Sequence, residues 1–350
     1  MVERVFNIYL QNQQEEGNGM AKDLSWQVPG DSGNTLHIGA WRFEGDGSGP
    51  RVHLQAGVHA DEIAGMLVLH QLLPRLQACQ DQGRLKGTVT VVPQANPFGI
   101  GQFRQGRLLG RFHEATGQNF NRAFDHSLAM ERPASNLAQW QKSLVQLAAD
   151  ADLVLDLHTD DEALPYLYIH RSFWPAGRAL AAALQVDVVI VWDEGGDGSF
   201  EETIIDHGQP RLAATIELRG QADVSDALAG QDGDGIWAWL CASGVIDEAP
   251  VITQWHGQVV DMGCMETILA PCAGVLVFEK GLGEQVEEGE RFARIIRRPG
   301  DPASEVVLHA AQTGLMVTGH RERLVSQGSV VAKFTGTRLS EGYSGGVLDP

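Results

Sequence analysis

The sequence predicts an α/β protein: a mixed central sheet flanked by helices, with a smaller all-β domain at its C-terminus. Two observations predict this. From residue 51 to about 245, apolar strand-like runs alternate with stretches of helical periodicity, the pattern of βαβ units. After "DEAPV" the helical periodicity disappears and short β-type runs alternate with Gly turns. A third observation bounds the class: 350 residues, 43% hydrophobic and 20% charged, suffice for one large core and a second, smaller one.

Taken in order, residues 24–57 give short apolar runs broken by "VPGDSGN" and "EGDGSGP", a meander leading into the strand "RVHLQAG". Ile63, Met66, Leu67, Leu69 and Leu73 then fall at helical spacing, and "GTVTVVPQANP" is the next strand. The segment "SNLAQWQKSLVQLAAD" is an amphipathic helix with Leu137, Trp140, Leu144, Leu147 and Ala148 on one face, followed directly by the strand "ADLVLDLH". The helix "PAGRALAAALQ" runs into the strand "VDVVIVW", and "RLAATIELRG" supplies another. From 251 to 337 the lines "ILAPCAGVLVFEKGLGEQVEEGERFARII" and "VVLHAAQTGLMVTGHRERLVSQGSVVAKF" share a phrase and form an internal β repeat. The expected layout is an α/β domain over 1–245, a β-domain over 251–337 and a loosely held tail over 338–350.

The net charge of -19, from 45 acidic against 26 basic side chains, argues against a phosphate backbone as partner, and no nucleic acid is expected. An anionic substrate would need local arginines to hold it. No apolar run approaches the roughly 20 residues of a membrane helix. The start "MVERVFNIYLQNQQEEGNGM" lacks the basic region and apolar core of a secretion signal, so a cytoplasmic location is expected. Cys79, Cys241, Cys264 and Cys272 form no CxxC and are read as reduced thiols.

The chemistry concentrates at strand ends, where α/β sheets place their ligands. His59 and Glu62 stand three apart in "GVHADE", just past a strand, and His158 ends the strand "DLVLDLH". On the order of one HxxE arises by chance in a chain of this size. A close pair with a distant third is nevertheless a common way to build a catalytic zinc site with one open position. The competing reading is a helix cap and a hydrogen-bonded strand-end histidine; three such residues at equivalent strand ends favour the metal. The loop "NPFGIGQFRQGRLLGRFHEATGQNFNRAF" adds Arg104, Arg107, Arg111 and Arg122, side chains suited to a carboxylate or a developing oxyanion. Glu217 lies inside the apolar strand "AATIELRG", where a carboxylate is costly without a partner or a task. Its alternatives are general base and salt-bridge partner of Arg219.

The ordered set "GVHADE", "NPFG…NFNRAF", "DLHT" and "TIELRG" resembles the succinylglutamate desuccinylase/aspartoacylase family, within the zinc carboxypeptidase-like superfamily. The resemblance covers about residues 50–220. It implies one zinc per chain on His59, Glu62 and His158, an α-carboxylate held by Asn121 and Arg122, and Glu217 as catalytic base. It also implies an arginine that polarises the scissile carbonyl, for which Arg111 is first choice and Arg104 and Arg107 are rivals. The family often has Asp two places before the Asn-Arg pair, where this chain has Asn119, and the loop is longer than in compact members. The C-terminal repeat resembles a biotinyl/lipoyl-like barrel-sandwich domain, but its turn "AAQTGLMVTG" has no lysine to carry either group.

The function implied is zinc-dependent hydrolysis of the amide of an N-acyl amino acid, a small-molecule substrate, with N-succinyl and N-acetyl groups as examples. The rivals are a metallocarboxypeptidase acting on peptide C-termini and a non-catalytic adaptor. Specificity is expected in the loops around 99–120 and 193–204, and a homo-oligomer is left open.

Overall fold

The structure is a computed structural model that describes residues 21–129, 135–196, 198–251 and 253–340. The polar start and most of the expected tail lie outside the described residues. The large sheet has nine strands: β1 (Lys22–Asp23), β2 (Trp41–Glu44), β3 (Arg51–Ala56), β4 (Thr88–Val92), β5 (Leu153–Asp160), β6 (Tyr166–His170), β7 (Val188–Trp192), β8 (Leu212–Gly220) and β9 (Gln258–Asp261). Across the sheet they run β1-β2-β4-β3-β5-β8-β6-β7-β9. The middle pairs β4/β3, β3/β5 and β5/β8 are parallel, whereas β6 meets β8 antiparallel, so the sheet is mixed as the sequence predicts.

These central strands are near-continuous apolar runs because both faces are covered. "VVIVW" of β7 is buried throughout, and seven of the eight residues of β5 are buried. One face packs against helices α1 (Ala64–Asp81), α3 (Trp174–Leu184) and α5 (Asp226–Ala242), through a core that includes Leu69, Leu72, Leu180, Ile236 and Trp239. The other face packs against α2 (Asn136–Ala148) and α4 (Phe200–Gly208), around Trp140, Phe120, Phe124 and Phe200. Trp140 is fully buried and donates its indole N–H to the Ala95 carbonyl at 2.7 Å, which satisfies its polar edge.

The smaller unit is built of antiparallel strands. Β10 (Glu266–Leu269) pairs with β15 (Val330–Phe334), which pairs with β14 (Gly314–Gly319); β11 (Gly274–Phe278), β12 (Arg291–Ile296) and β13 (Glu305–His309) form a second sheet. Phe292 and Phe334 meet edge to face at 4.9 Å in the core between them. The two β systems exchange strands. Residues 258–261, which the sequence reading groups with the C-terminal unit, are β9 and extend the large sheet, because Gln258 N donates to Asp187 and the Trp255 indole N–H donates to the Val186 carbonyl. Conversely, Glu162–Ala163, just past β5, leaves the large sheet and pairs with Gly319 and Thr318 of β14. Among the described residues no helix is long and apolar enough to cross a membrane, and the four cysteines are free thiols.

Two glycines let the 96–124 loop lie on the "HADE" turn. The Ala60 N–H donates to the Gly110 carbonyl at 2.9 Å, and a Cβ on Gly110 would collide with the backbone nitrogen of Asp61. A Cβ on Gly99 would press on Ala60 at 2.7 Å. Gly110→Ala should therefore destabilise the protein by about 1–3 kcal/mol. The check is urea unfolding, with a lower midpoint at unchanged m-value.

Candidate active site

Strand register assembles the site. Asp156, His158 and Asp160 alternate along β5 and share one face of the sheet. Parallel pairing sets Asp156 opposite both Gln55 of β3 and Thr215 of β8, and sets His158 opposite Glu217. Antiparallel pairing with β6 adds Tyr168 beside Thr215 and Tyr166 beside Glu217. Two polar rows thus cross an otherwise apolar sheet near its carboxyl ends. Past β3, Gly57 at φ +74 turns the chain into "HADE", where the Glu62 N–H donates to the His59 carbonyl at 3.2 Å.

His59, Glu62 and His158 are all buried, and one ligand atom from each lies within 4.8 Å of the others. Nδ1 of His59 is 2.8 Å from Glu62 Oε1, and Nδ1 of His158 is 2.7 Å from Glu62 Oε2. The far nitrogens are anchored: His59 Nε2 donates to Asn119 Oδ1 at 2.8 Å and His158 Nε2 donates to Asp156 Oδ2 at 2.9 Å. Asn119 Oδ1 also accepts from the Asn121 N–H at 2.9 Å, which fixes the orientation of its amide. Each Nδ1 is thereby held against a carboxylate oxygen, and the buried contact requires a positive charge: either a ring proton, which Asp156 and Glu62 favour strongly at His158 although burial opposes it, or a cation that takes the proton's place and is met by the Nδ1 lone pairs. Two imidazole nitrogens and one carboxylate, backed by acceptors behind the rings, fit a zinc site with an open position.

Burial pushes the Glu62 carboxyl upward, but His59 and His158 outweigh it and hold the group well below the usual carboxylate range. The Thr159 N–H at 3.1 Å and Arg111 Nη1 at 3.3 Å also point at Glu62. Glu217 goes the other way: burial, reinforced by the charge of Glu62, drives it well above the usual range. Its Oε2 is buried without a hydrogen-bond partner. The salt bridge to Arg219 does not form. A bulge between Glu217 and Gly220 sets Arg219 at φ +69, and its guanidinium pairs with Asp232 of α5.

A cleft of about 380 Å³ gathers His59, Glu62, Arg111, Asn121, Arg122, His158 and Glu217. Arg104 and Arg107 stay outside it. They face each other across a two-stranded hairpin, and Arg104 pairs with exposed Glu114 at 2.7 Å. The C-terminal unit supplies another wall with Thr318, His320 and Lys333. Lys333, 2% exposed, reaches Asp160 at 3.0 Å, and His320 reaches Asp161 at 2.7 Å. Sequence reasoning missed these residues, together with Asp156 and Glu201. The signal for Asp156 was present, since it stands two before His158 on a strand and so shares its face; none was present for Lys333.

This chain is similar to known proteins over most of its length. The N-alpha-acetyl-L-2,4-diaminobutyric acid deacetylase of Halomonas elongata is 23% identical over 300 residues, covering 82% of each chain. Among solved structures, a Shewanella frigidimarina protein assigned as a succinylglutamate desuccinylase/aspartoacylase superposes with a TM-score of 0.79 at 24% identity, covering 91% of this chain and 98% of that one. The product-bound ectoine utilization protein EutE (DoeB) of Ruegeria pomeroyi gives 0.74 at 21% identity, with 93% and 98% covered. At these identities the structural likeness speaks for the fold. The sequence model of the succinylglutamate desuccinylase/aspartoacylase catalytic domain matches residues 48–240, which spans the "HADE" turn, the arginine loop, His158 and Glu217. More than half of the chain lies inside that match, and the protein belongs to the succinylglutamate desuccinylase/aspartoacylase family.

Proposed function

We propose that the protein is a zinc-dependent hydrolase that cleaves the amide of an N-acyl amino acid, with one zinc held by His59, Glu62 and His158. The observation that carries this reading is the convergence of three buried metal-type ligand atoms beside Glu217, a carboxyl with an unpartnered oxygen and a raised affinity for protons. Membership of a family named for desuccinylase and aspartoacylase supports it, as does the similarity to a deacetylase of an acetylated amino acid. When bound, the cation supplies Lewis-acid polarisation of a carbonyl and makes water a better nucleophile at neutral pH.

The chain's own residues do the rest. Glu217 accepts a proton from the attacking water, whose oxygen bonds to the acyl carbon. As the C–N bond breaks, Glu217 returns that proton to the leaving nitrogen, so that one water yields a free carboxylic acid and a free amine. Arg111 lines the cleft and donates to the carbonyl oxygen as negative charge builds there. Asn121 and Arg122 hold the α-carboxylate; the Asn121 Oδ1 already accepts from the Phe200 N–H at 2.9 Å, which leaves its NH2 for the ligand. Arg104 and Arg107, paired or exposed on the hairpin, are withdrawn from the reacting groups.

Glu217→Gln should retain its metal and lose at least about two orders of magnitude in kcat on an N-acyl amino acid. Turnover near that of the parent would remove Glu217 from the base role. Protein purified without chelator should carry one zinc per chain by elemental analysis, and His59→Ala should carry almost none. Dipeptides offered beside N-acyl amino acids separate the deacylase from a carboxypeptidase.

A further inference from the structure

The polar row that ends at His158 continues beneath the site, into the core. On the α2/α4 side of the sheet, His53 and Gln55 of β3 share one face because they stand two apart, and the His53 ring meets Phe200 of that side at 6.2 Å. Asp156 shares its face of β5 with Val154, which packs on the same side. Parallel pairing sets Gln55 opposite Asp156. His53, Gln55 and Asp156 are each at most 1% exposed, so this part of the row is internal and meets no substrate. The Asp156 carboxylate receives one hydrogen bond, from His158 Nε2 to Oδ2, while its Oδ1 is buried without a partner. Such a group is costly unless a second donor stands close. Strand pairing offers two neighbours. The Thr215 hydroxyl on one flank already donates to Glu201. Gln55 on the other flank has an amide nitrogen that is buried and likewise without a partner.

We propose that Gln55 is a positioning residue: its NH2 donates to Asp156 Oδ1, directly or through one bridging water, and so locks the carboxylate that orients His158. The amide is already turned for this. His53 Nε2 donates to Gln55 Oε1 at 3.0 Å, which leaves the NH2 for the opposite side. The reversed amide would set its oxygen against the Asp156 carboxylate, two acceptors face to face. Burial lowers the proton affinity of His53, so its ring is neutral and has a single hydrogen to give, the one on Nε2. The direction of donation is then fixed along the row: His53 to Gln55, Gln55 to Asp156, and His158 to Asp156 from the other side. A second donor on Asp156 stops the carboxylate from rotating and tempers its pull on the His158 hydrogen. The effect on the metal rests on the zinc reading above, whereas the hydrogen bonds rest on strand register alone.

The test measures the zinc dissociation constant, by chelator competition, of the parent, Gln55→Met, Asp156→Asn and the double variant. Methionine fills a similar space and cannot donate. Gln55→Met should bind zinc about tenfold more weakly, the lower end of the loss expected when a group behind a metal ligand is removed. At saturating zinc its kcat on an N-acyl amino acid should fall while KM stays unchanged. In the Asp156→Asn background the same substitution should add less than about twofold, because the two residues act as one unit. Parent-like zinc affinity in Gln55→Met overturns the proposal, as does full additivity in the double variant; Asp156 would then be held from the side of Glu201. If the variants do not fold, the tautomer of His53 in the parent, read by nitrogen NMR, decides: a hydrogen on Nε2 supports the proposal and one on Nδ1 overturns it. A parent that binds no zinc fails the hydrolase reading instead, and the His53 tautomer then decides the Gln55 contact by itself.

Discussion

The rest of the site depends on one carboxylate. Glu62 is 1% exposed and is approached by two imidazole nitrogens, a backbone N–H and a guanidinium. An anion so deeply buried is tolerable only if positive charge is held close to it, and every neighbouring element serves that condition. The parallel register of β3 and β5 brings two strand ends side by side. Gly57 turns the chain sharply enough to aim His59 and Glu62 at His158, and Gly110 lets the arginine loop lie on that turn so that Arg111 reaches the carboxylate. Asn119 and Asp156 stand behind the rings and orient them. Asn119, at a position where the family often has Asp, still serves as acceptor: a neutral oxygen orients the ring, although it adds less basicity than a carboxylate would.

The second dependence is mechanical. Asp160, at the end of β5, accepts from Lys333 of the C-terminal unit at 3.0 Å and from the Tyr166 hydroxyl at 2.7 Å. Arg323 pairs with Glu162 at 2.7 Å, one turn of chain further on. The exposed pair contributes little, but Lys333 is almost wholly buried, and removing its partner leaves a charge without water. Together with the exchanged strands at 162–163 and 258–261, these contacts make the C-terminal unit a wall of the cleft. The fold thereby adds a further wall to the cleft at the carboxyl ends of the central strands.

The fold was legible where it obeys local rules. Buried apolar strands, the amphipathic stripe of Leu137, Trp140 and Leu144, and the change of texture after 251 each follow from periodicity, and the large mixed sheet with its antiparallel appendage agrees with them. The strand exchange was not legible, because "QVVD" at 258–261 and the two residues 162–163 are too short to carry a pattern of their own. Arg219 shows a different limit. Alternation along a strand puts it on the face of Glu217, and only the bulge, invisible in the residue types, turns it toward Asp232. Four arginines in one loop could not be ranked by spacing; the hairpin that exposes Arg104 and Arg107 and the glycine contact that seats Arg111 are facts of packing.

Three glutamates line the same cleft, Glu62 and Glu201 buried and Glu217 partly so, and their surroundings divide them. Glu62 has histidines on both oxygens and stays ionised. Glu217 is desolvated and repelled by Glu62, so it binds a proton readily, the property that a group passing a proton from water to amine requires. Glu201 lies farther along the wall, where burial outweighs the hydrogen bonds from Thr215 and Trp192 and pushes its carboxyl up to about 8. Burial acts in the same direction on all three, so burial alone cannot account for the division. What separates them is the number and charge of the groups that reach each carboxylate, and those groups are set largely by register: two histidines past or at strand ends for Glu62, a bulge that removes Arg219 from Glu217, and neutral donors, Thr215 opposite Asp156 and Trp192, for Glu201. The pleat of β5 and β8 therefore fixes the electrostatics of the cleft as firmly as it fixes its shape.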